Sequence, residues 1–182
     1  MARLGALERG DLPAEEQDNY DAIVASRGKI QGPFTVLIHS PDLAKRIADV
    51  GAYIRFESPL PVAVRCFAAV MVAREMDCAF EWAGWVPQAR DAGVPDEAIQ
   101  ALRERRAPSG LSEELQLVYT FGRQLLSAGH RVDDSTYQAV TDHFGVPGTV
   151  ELTATFGYLA MLSFSLNAFQ VDPPEGRPLL ES

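Results

Sequence analysis

Residues 58–85 read SPLPVAVRCFAAVMVAREMDCAFEWAGW, and this stretch decides the fold. Ser58-Pro59-Leu60-Pro61 stops whatever helix precedes it, because each proline lacks a backbone donor and fixes φ. From Val62 the chain is apolar on most faces of a helix, with Val64, Phe67, Ala68, Val70, Met71 and Val72. A helix apolar nearly all round lies in a core or at a subunit interface. The chain continues through Arg74-Glu75-Met76-Asp77 into Cys78–Ala92, with Gly93 as a C-cap. Local signals leave open whether residues 62–92 form one helix or two, since Asp77 could cap a fresh one.

Outward from this core, helix punctuation recurs in both directions. Towards the N-terminus, Pro13 opens a helix over Ala14–Ser26 that ends near Gly28. A loop over Gly28–Phe34 holds Gly32-Pro33. Ser40-Pro41-Asp42 then supplies an N-cap, a proline at the first helical position and an acid in the first turn. The helix it starts is expected from Pro41 to Phe56, with Leu43, Ile47, Val50 and Ile54 at helical spacing. Towards the C-terminus, a short helix is expected over Pro95–Arg105. Ser112 caps Glu113–Ala128, and Asp133 or Asp134 caps Ser135–Phe144, which Gly145 ends. A last long helix is expected from Thr149 to Gln170. No period-two strand, dinucleotide fingerprint, P-loop or nucleophile elbow occurs. The expectation is an all-α chain, a compact multi-helix bundle of seven or eight helices in a single domain over 1–182. An N-terminal arm over 1–13 and an extended tail over 172–182 flank it.

The 182 residues are 47% hydrophobic and 23% charged, the composition of an ordinary globular chain rather than a collagenous, disordered or disulfide-built one. Sixteen Lys+Arg against twenty-five Asp+Glu leave a net charge of −9, which argues against a nucleic-acid partner. Leu152–Val171 is apolar enough to consider as a membrane span. Thr153, Thr155, Ser163, Ser165 and Asn167 interrupt it, so a buried helix is expected and no membrane partner. Two cysteines, Cys66 and Cys78, are too few for a secreted framework, and the expected compartment is the reducing cytoplasm.

Chemistry concentrates at the start of the Cys78–Ala92 segment. On a helix, Cys78, Glu81 and Trp85 stand at i, i+3 and i+7 and share one face, bringing a thiol, a carboxylate and an indole together. A carboxylate beside large rings is desolvated, which suits a general acid or base. Cys78 at a helix N-terminus could be activated as a nucleophile, or could be a small buried apolar residue. If Cys66 and Cys78 sat on one continuous helix they would be about 18 Å apart, beyond disulfide reach. Arg55, in Tyr53-Ile54-Arg55-Phe56, could hold a carboxylate substrate. His39, His130 and His143 are scattered, and no metal site is expected.

The chain resembles the carboxymuconolactone decarboxylase-like proteins, which share the all-helical fold of the alkyl hydroperoxidase D family. The resemblance spans about residues 30 to 172. It is carried by Gly32-Pro33-Phe34, Ser40-Pro41-Asp42-Leu43-Ala44, Tyr53-Ile54-Arg55-Phe56, Leu60-Pro61, Ala73-Arg74-Glu75, Phe80-Glu81-Trp82 and Ala92-Gly93-Val94. Gly129-His130-Arg131-Val132 and Val171-Asp172-Pro173-Pro174 complete it. It implies a homo-oligomer, a trimer or hexamer assembled through the central apolar helices, and a pocket near the start of the Cys78–Ala92 helix.

In the peroxidase branch that helix carries Cys-x-x-Cys-x-x-x-His, with a glutamate on the preceding helix. Here Cys78 matches the first cysteine, Glu81 replaces the second, Trp85 replaces the histidine, and Cys66 stands where the glutamate is expected. In the decarboxylase-like branch Phe80-Glu81-Trp82 fits, with Trp85 again in place of the histidine. Three functions follow from the resemblance. The first is a cofactor-free lyase, isomerase or hydrolase acting on a small lactone or cyclic carboxylic acid. In it Glu81 is the acid or base, and Arg55, Trp82, Trp85 and Tyr158 surround the substrate, with Cys66, Cys78 or Tyr158 as a further proton donor. The second is a thiol-dependent hydroperoxide reductase using Cys78, with Cys66. The third is a non-catalytic oligomeric binding protein that has lost the proton relay.

Overall fold

The computed structural model describes residues 2–180; Met1, Glu181 and Ser182, at the outer ends of the expected arm and tail, lie outside the described residues. Among the described residues there are eight α-helices and no strand. These are α1 (Gln17–Arg27), α2 (Phe34–Leu37), α3 (Pro41–Ala52), α4 (Val62–Glu75), α5 (Ala79–Asp91), α6 (Asp96–Arg103), α7 (Glu113–Leu126) and α8 (Asp134–Ala168). Short 3-10 turns at Arg9–Asp11 and Ala14–Glu16 precede α1, and a π-helical turn, Tyr53–Glu57, follows α3. The chain divides into two compact units. Among the described residues, one comprises 2–58 with 164–172, and the other 59–163 with 173–180.

In the first unit α1 packs on α3. Ile23, Ile38, Ala44, Ile47 and Ile54 are buried there, whereas Leu43 and Val50, expected on the same apolar face as Ile47 and Ile54, are half exposed. Arg27 stacks its guanidinium 4.3 Å above the Phe34 ring centroid and donates from Nη2 to the Ala48 carbonyl at 2.8 Å. Three local expectations fail. Phe34–Leu37 is a helical turn rather than loop, because Pro33 at its entry has helical φ and ψ. Ser40 precedes α3 but makes no side-chain cap bond, leaving Pro41 at the first turn as the stronger start signal. The expected helix to Phe56 is α-helical only to Ala52, then widens into the π turn.

The second unit is built around α4. From Cys66 to Arg74 every residue is buried, so the all-round apolarity of this helix marks the centre of a core. α5, α6 and α7 pack on it. Leu152, Phe156 and Leu159 of α8 join the same core, which accounts for the apolar run once weighed as a membrane span. α8 is long and apolar enough to cross a membrane by length and composition, but Gly145, at φ 69° and ψ 169°, interrupts it. Ser112 Oγ accepts from the Leu115 amide at 3.2 Å, and Asp133 Oδ1 accepts from the Thr136 amide at 2.8 Å, so the caps expected for α7 and α8 form. Bonds from Ser135, Thr136 and Gln124 hold the Asp133 carboxyl well below the usual carboxylate range.

Residues 62–92 form two helices. Asp77 does not cap the second; it ends the first. It takes a left-handed conformation at φ 46°, with its amide on the Arg74 carbonyl (3.2 Å) and the Cys78 amide on the Ala73 carbonyl (2.8 Å). This is the Schellman closure. α5 ends in the same way at Gly93 (φ 88°), and α6 at Arg105 (φ 55°), whose amide reaches the Leu102 carbonyl. Glycine is the usual occupant of that position. Asp77 and Arg105 take it with side chains that are ion-paired to each other at 2.8 Å.

Gly122 of α7 is a close-approach position. A Cβ there would lie 2.7 Å from Met71 Cε and 2.8 Å from Phe156 Cε1. Gly122→Ala is therefore expected to overpack the core and lower unfolding free energy by about 1–3 kcal/mol, measured by urea denaturation. An unchanged midpoint would show that the Phe156 ring yields freely.

Candidate functional site

The site is built at the turn between α4 and α5. Cys78 is the N-cap residue of α5, and Glu81 and Trp85 follow on the same face, as the spacing predicts. Glu81 is 7% exposed, and its Oε2 accepts a hydrogen bond from Trp85 Nε1 at 2.6 Å. This i, i+4 bond is the geometry that helical spacing favours. An indole N–H can donate but cannot accept, so Trp85 holds the carboxyl oxygen without competing for a proton. Trp85 itself is partly exposed, whereas Trp82, one position beyond Glu81, is 1% exposed and belongs to the core of the second unit. Trp82 is thus packing rather than pocket wall.

Cys78 is fully buried. Burial pushes its thiol above the usual cysteine range, and the neighbouring Glu81 charge adds to that. The amides of Glu81 and Phe80 and the Ser163 hydroxyl favour the thiolate, but they do not overcome burial. The helix N-terminus therefore does not produce an activated thiol here. Ser163 is buried within α8, and its Oγ has no regular hydrogen-bond partner among the described residues. Sequence reading treated this serine only as an interruption of an apolar run. A hydroxyl in an otherwise apolar helix was the signal available.

A raised thiol pKa has a stability consequence. The folded state retains the Cys78 proton more tightly than the unfolded chain, so the contribution is fully present below the unfolded value of about 8.5. It is lost as pH rises past that value. Native Cys78 is accordingly expected to react with iodoacetamide at pH 7.5 at least ~10-fold more slowly than the urea-unfolded chain. Peptide mapping reads the site of modification, and equal rates would contradict the burial argument.

Cys66 is also buried, and its sulfur is not in a disulfide. It lies on α4 seven residues before Ala73, the residue whose carbonyl receives the Cys78 amide. Seven helical residues rise about 10 Å, beyond the ~7 Å limit for bridging two Cα positions. The pairing of Cys66 with Cys78 expected for a dithiol mechanism is absent from this conformation. Tyr158 of α8 is partly buried against the core of the second unit. Arg55 belongs to the first unit, where it is exposed on the π turn. Among the described residues no three His, Cys, Asp or Glu side chains come together as a metal site.

The sequence signature described as Carboxymuconolactone decarboxylase family matches residues 41–119, a span that includes Cys66, Cys78, Glu81 and Trp85. No curated protein sequence is significantly similar to the chain. Among solved structures, a peroxidase-related protein with an alkylhydroperoxidase AhpD core, from Ralstonia eutropha JMP134, is 15% identical. It aligns with 96% of this chain and 93% of its own, with a TM-score of 0.76. The debrominase Bmp8 without ligand is 15% identical over 93% of this chain and 91% of its own, with a TM-score of 0.71. A cysteine-to-alanine variant of Bmp8 in complex with 2,3,4-tribromopyrrole is 14% identical over 96% and 95%, with a TM-score of 0.72. At these identities the likeness is one of fold. Over residues 41–119, from α3 into α7, the chain is similar to the carboxymuconolactone decarboxylase family, and it shares the all-helical alkylhydroperoxidase D-like fold of these structures.

Proposed function

We propose that this protein is an acid–base enzyme that acts on a small lactone or cyclic carboxylic acid, with Glu81 exchanging a proton with the substrate. The observation that carries this reading is the nearly buried Glu81 carboxyl, fixed through Oε2 by the Trp85 indole and set beside the buried Cys78 thiol. Fixed orientation in a dry setting is what general acid–base catalysis requires. In a decarboxylation, the bond to the leaving carboxylate breaks, its electrons pass to the adjacent carbon, and Glu81 returns a proton there. In an isomerisation, the same group removes and replaces a proton. The family signature and the ring compound bound to one neighbour support a small cyclic substrate. Trp85 and Tyr158, in the same unit as Glu81, are proposed as further substrate contacts. No cofactor is needed for this chemistry.

The test is turnover on a panel of lactones and cyclic carboxylic acids, followed by carbon dioxide release and product analysis. Release or isomerisation that depends on Glu81 supports the reading; no turnover on any member overturns it. We further propose a homo-oligomer, a trimer or hexamer, in a reducing cytoplasm that keeps both cysteines reduced. Light scattering on the purified chain reads the first. A monomer at micromolar concentration would contradict it.

A second reading, hydroperoxide reduction at Cys78, draws on the peroxidase-related neighbour and on the Phe80 and Glu81 amides that favour a thiolate. The ~10 Å rise between Cys66 and the α4 end works against it, since no resolving thiol stands within reach. Peroxide consumption with dithiothreitol is expected to be no faster in the wild-type protein than in Cys78→Ser. A large difference would make thiol chemistry the function.

A further inference from the structure

A cleft of about 430 Å³ opens in the second unit where the ends of α4 and α6 meet α7. Its size falls within the usual range for small-molecule sites, about 300–1,000 Å³. Four of its lining residues are arginines, Arg74, Arg105, Arg106 and Arg123, and the one lining acid is Glu75. None of Cys66, Cys78, Glu81 and Trp85 lines the cleft. Its α4 residues Met71 and Glu75 stand about 140° and 180° around the helix from Cys66, at ~100° per residue.

The arginines are only partly neutralised. Arg74 Nη1 and Arg105 Nη2 both bond Asp77, at 2.7 and 2.8 Å, and Arg106 pairs with Glu104. Arg123 Nη1 stands 3.8 Å from Glu75 Oε2, too far for a hydrogen bond. Arg74 is 9% exposed, and its Nε is buried with no hydrogen-bond partner among the described residues. A buried donor on a charged group left without an acceptor is costly, and native proteins seldom tolerate one. An anionic oxygen entering the cleft would give Arg123, whose ion pair to Glu75 is long, a hydrogen-bond acceptor. Met71, Leu102 and Tyr119 provide apolar and aromatic wall beside the charges.

We propose that this cleft binds a small organic anion, a carboxylate or phosphate group on an apolar body, with the arginines that line it, Arg123 above all, as its donors. The planar guanidinium fork suits both anion types, and the apolar wall selects against a bare inorganic ion. The site does not depend on the acid–base reading of Glu81.

Calorimetric titration of the full-length protein with phthalate, citrate and phenyl phosphate tests this. Inorganic phosphate and the neutral dimethyl phthalate serve as controls. At least one organic anion is expected to bind saturably with Kd below about 1 mM at low salt, and more weakly as salt rises. Arg123→Gln, an exposed position, is expected to weaken binding by at least ~10-fold while leaving the thermal melt unchanged. Arg74→Lys is expected to do the same if it folds, and Glu81→Gln to leave binding intact. The proposal is overturned if no panel member binds below about 10 mM. It is equally overturned if dimethyl phthalate or inorganic phosphate binds as tightly as the organic anions, or if Arg123→Gln has no effect. Loss of binding in Glu81→Gln would place the ligand at the other site and also overturn it.

Discussion

Glu81→Gln is expected to lower kcat by about 10²–10⁴-fold, the range associated with removing a general acid or base. The substitution is nearly isosteric, and the amide oxygen can still accept the Trp85 indole bond now measured at 2.6 Å. The fold should therefore persist, with an unchanged thermal melt. KM should change little, because the loss is in proton transfer and not in ground-state binding. Trp85→Phe provides a graded comparison. It keeps an aromatic ring and removes the N–H, so Glu81 loses its anchor but not its chemistry. A hydrogen bond to an ionised group contributes about 1.5–3 kcal/mol, so the expected loss is roughly 10-fold or more. Turnover within a factor of about three of wild type in Glu81→Gln would remove this residue from the reaction.

Trp82→Ala is expected to have the largest effect on stability. Its side chain is 1% exposed and lies in the core formed around Phe67, Val70, Phe121 and Phe156. Truncating a buried aromatic removes its transfer free energy and leaves a cavity that neighbours only partly fill, about 3–5 kcal/mol in total. Marginal stability of ~5–15 kcal/mol makes this a large fraction of the whole. Urea denaturation should show a lower midpoint with a similar slope. The neighbouring Trp85→Ala, at a partly exposed position, should cost clearly less. Equal losses from the two would mean that Trp85 is also a core residue in the native protein.

The contrast between these two tryptophans shows how far the sequence could be read. Pattern alone placed Cys78, Glu81 and Trp85 on one face, because a continuous helix leaves no other arrangement. The prolines at 59 and 61, the glycines at 93 and 145, and the caps at Ser112 and Asp133 also appeared where local chemistry puts them. These signals act within a few residues. Trp82 and Trp85 differ only in what packs on them from α4 and beyond, which no local pattern encodes. The same holds for the Cys66–Cys78 separation and for Ser163, which approaches Cys78 from a helix 85 residues further on in the chain. The cleft arginines at 74, 105, 106 and 123 come from three separate segments, so their grouping exists only in the folded chain.

The left-handed residues that close α4 and α6 carry a lesson for anyone stabilising this scaffold. Design by statistical preference would replace both Asp77 and Arg105 with glycine, easing a left-handed backbone by up to ~1–2 kcal/mol at each position. Doing so would unbuckle the carboxylate–guanidinium strap that fastens the entry to Cys78 onto the end of α6. A hardier variant obtained this way would be a looser one at the place where its chemistry begins.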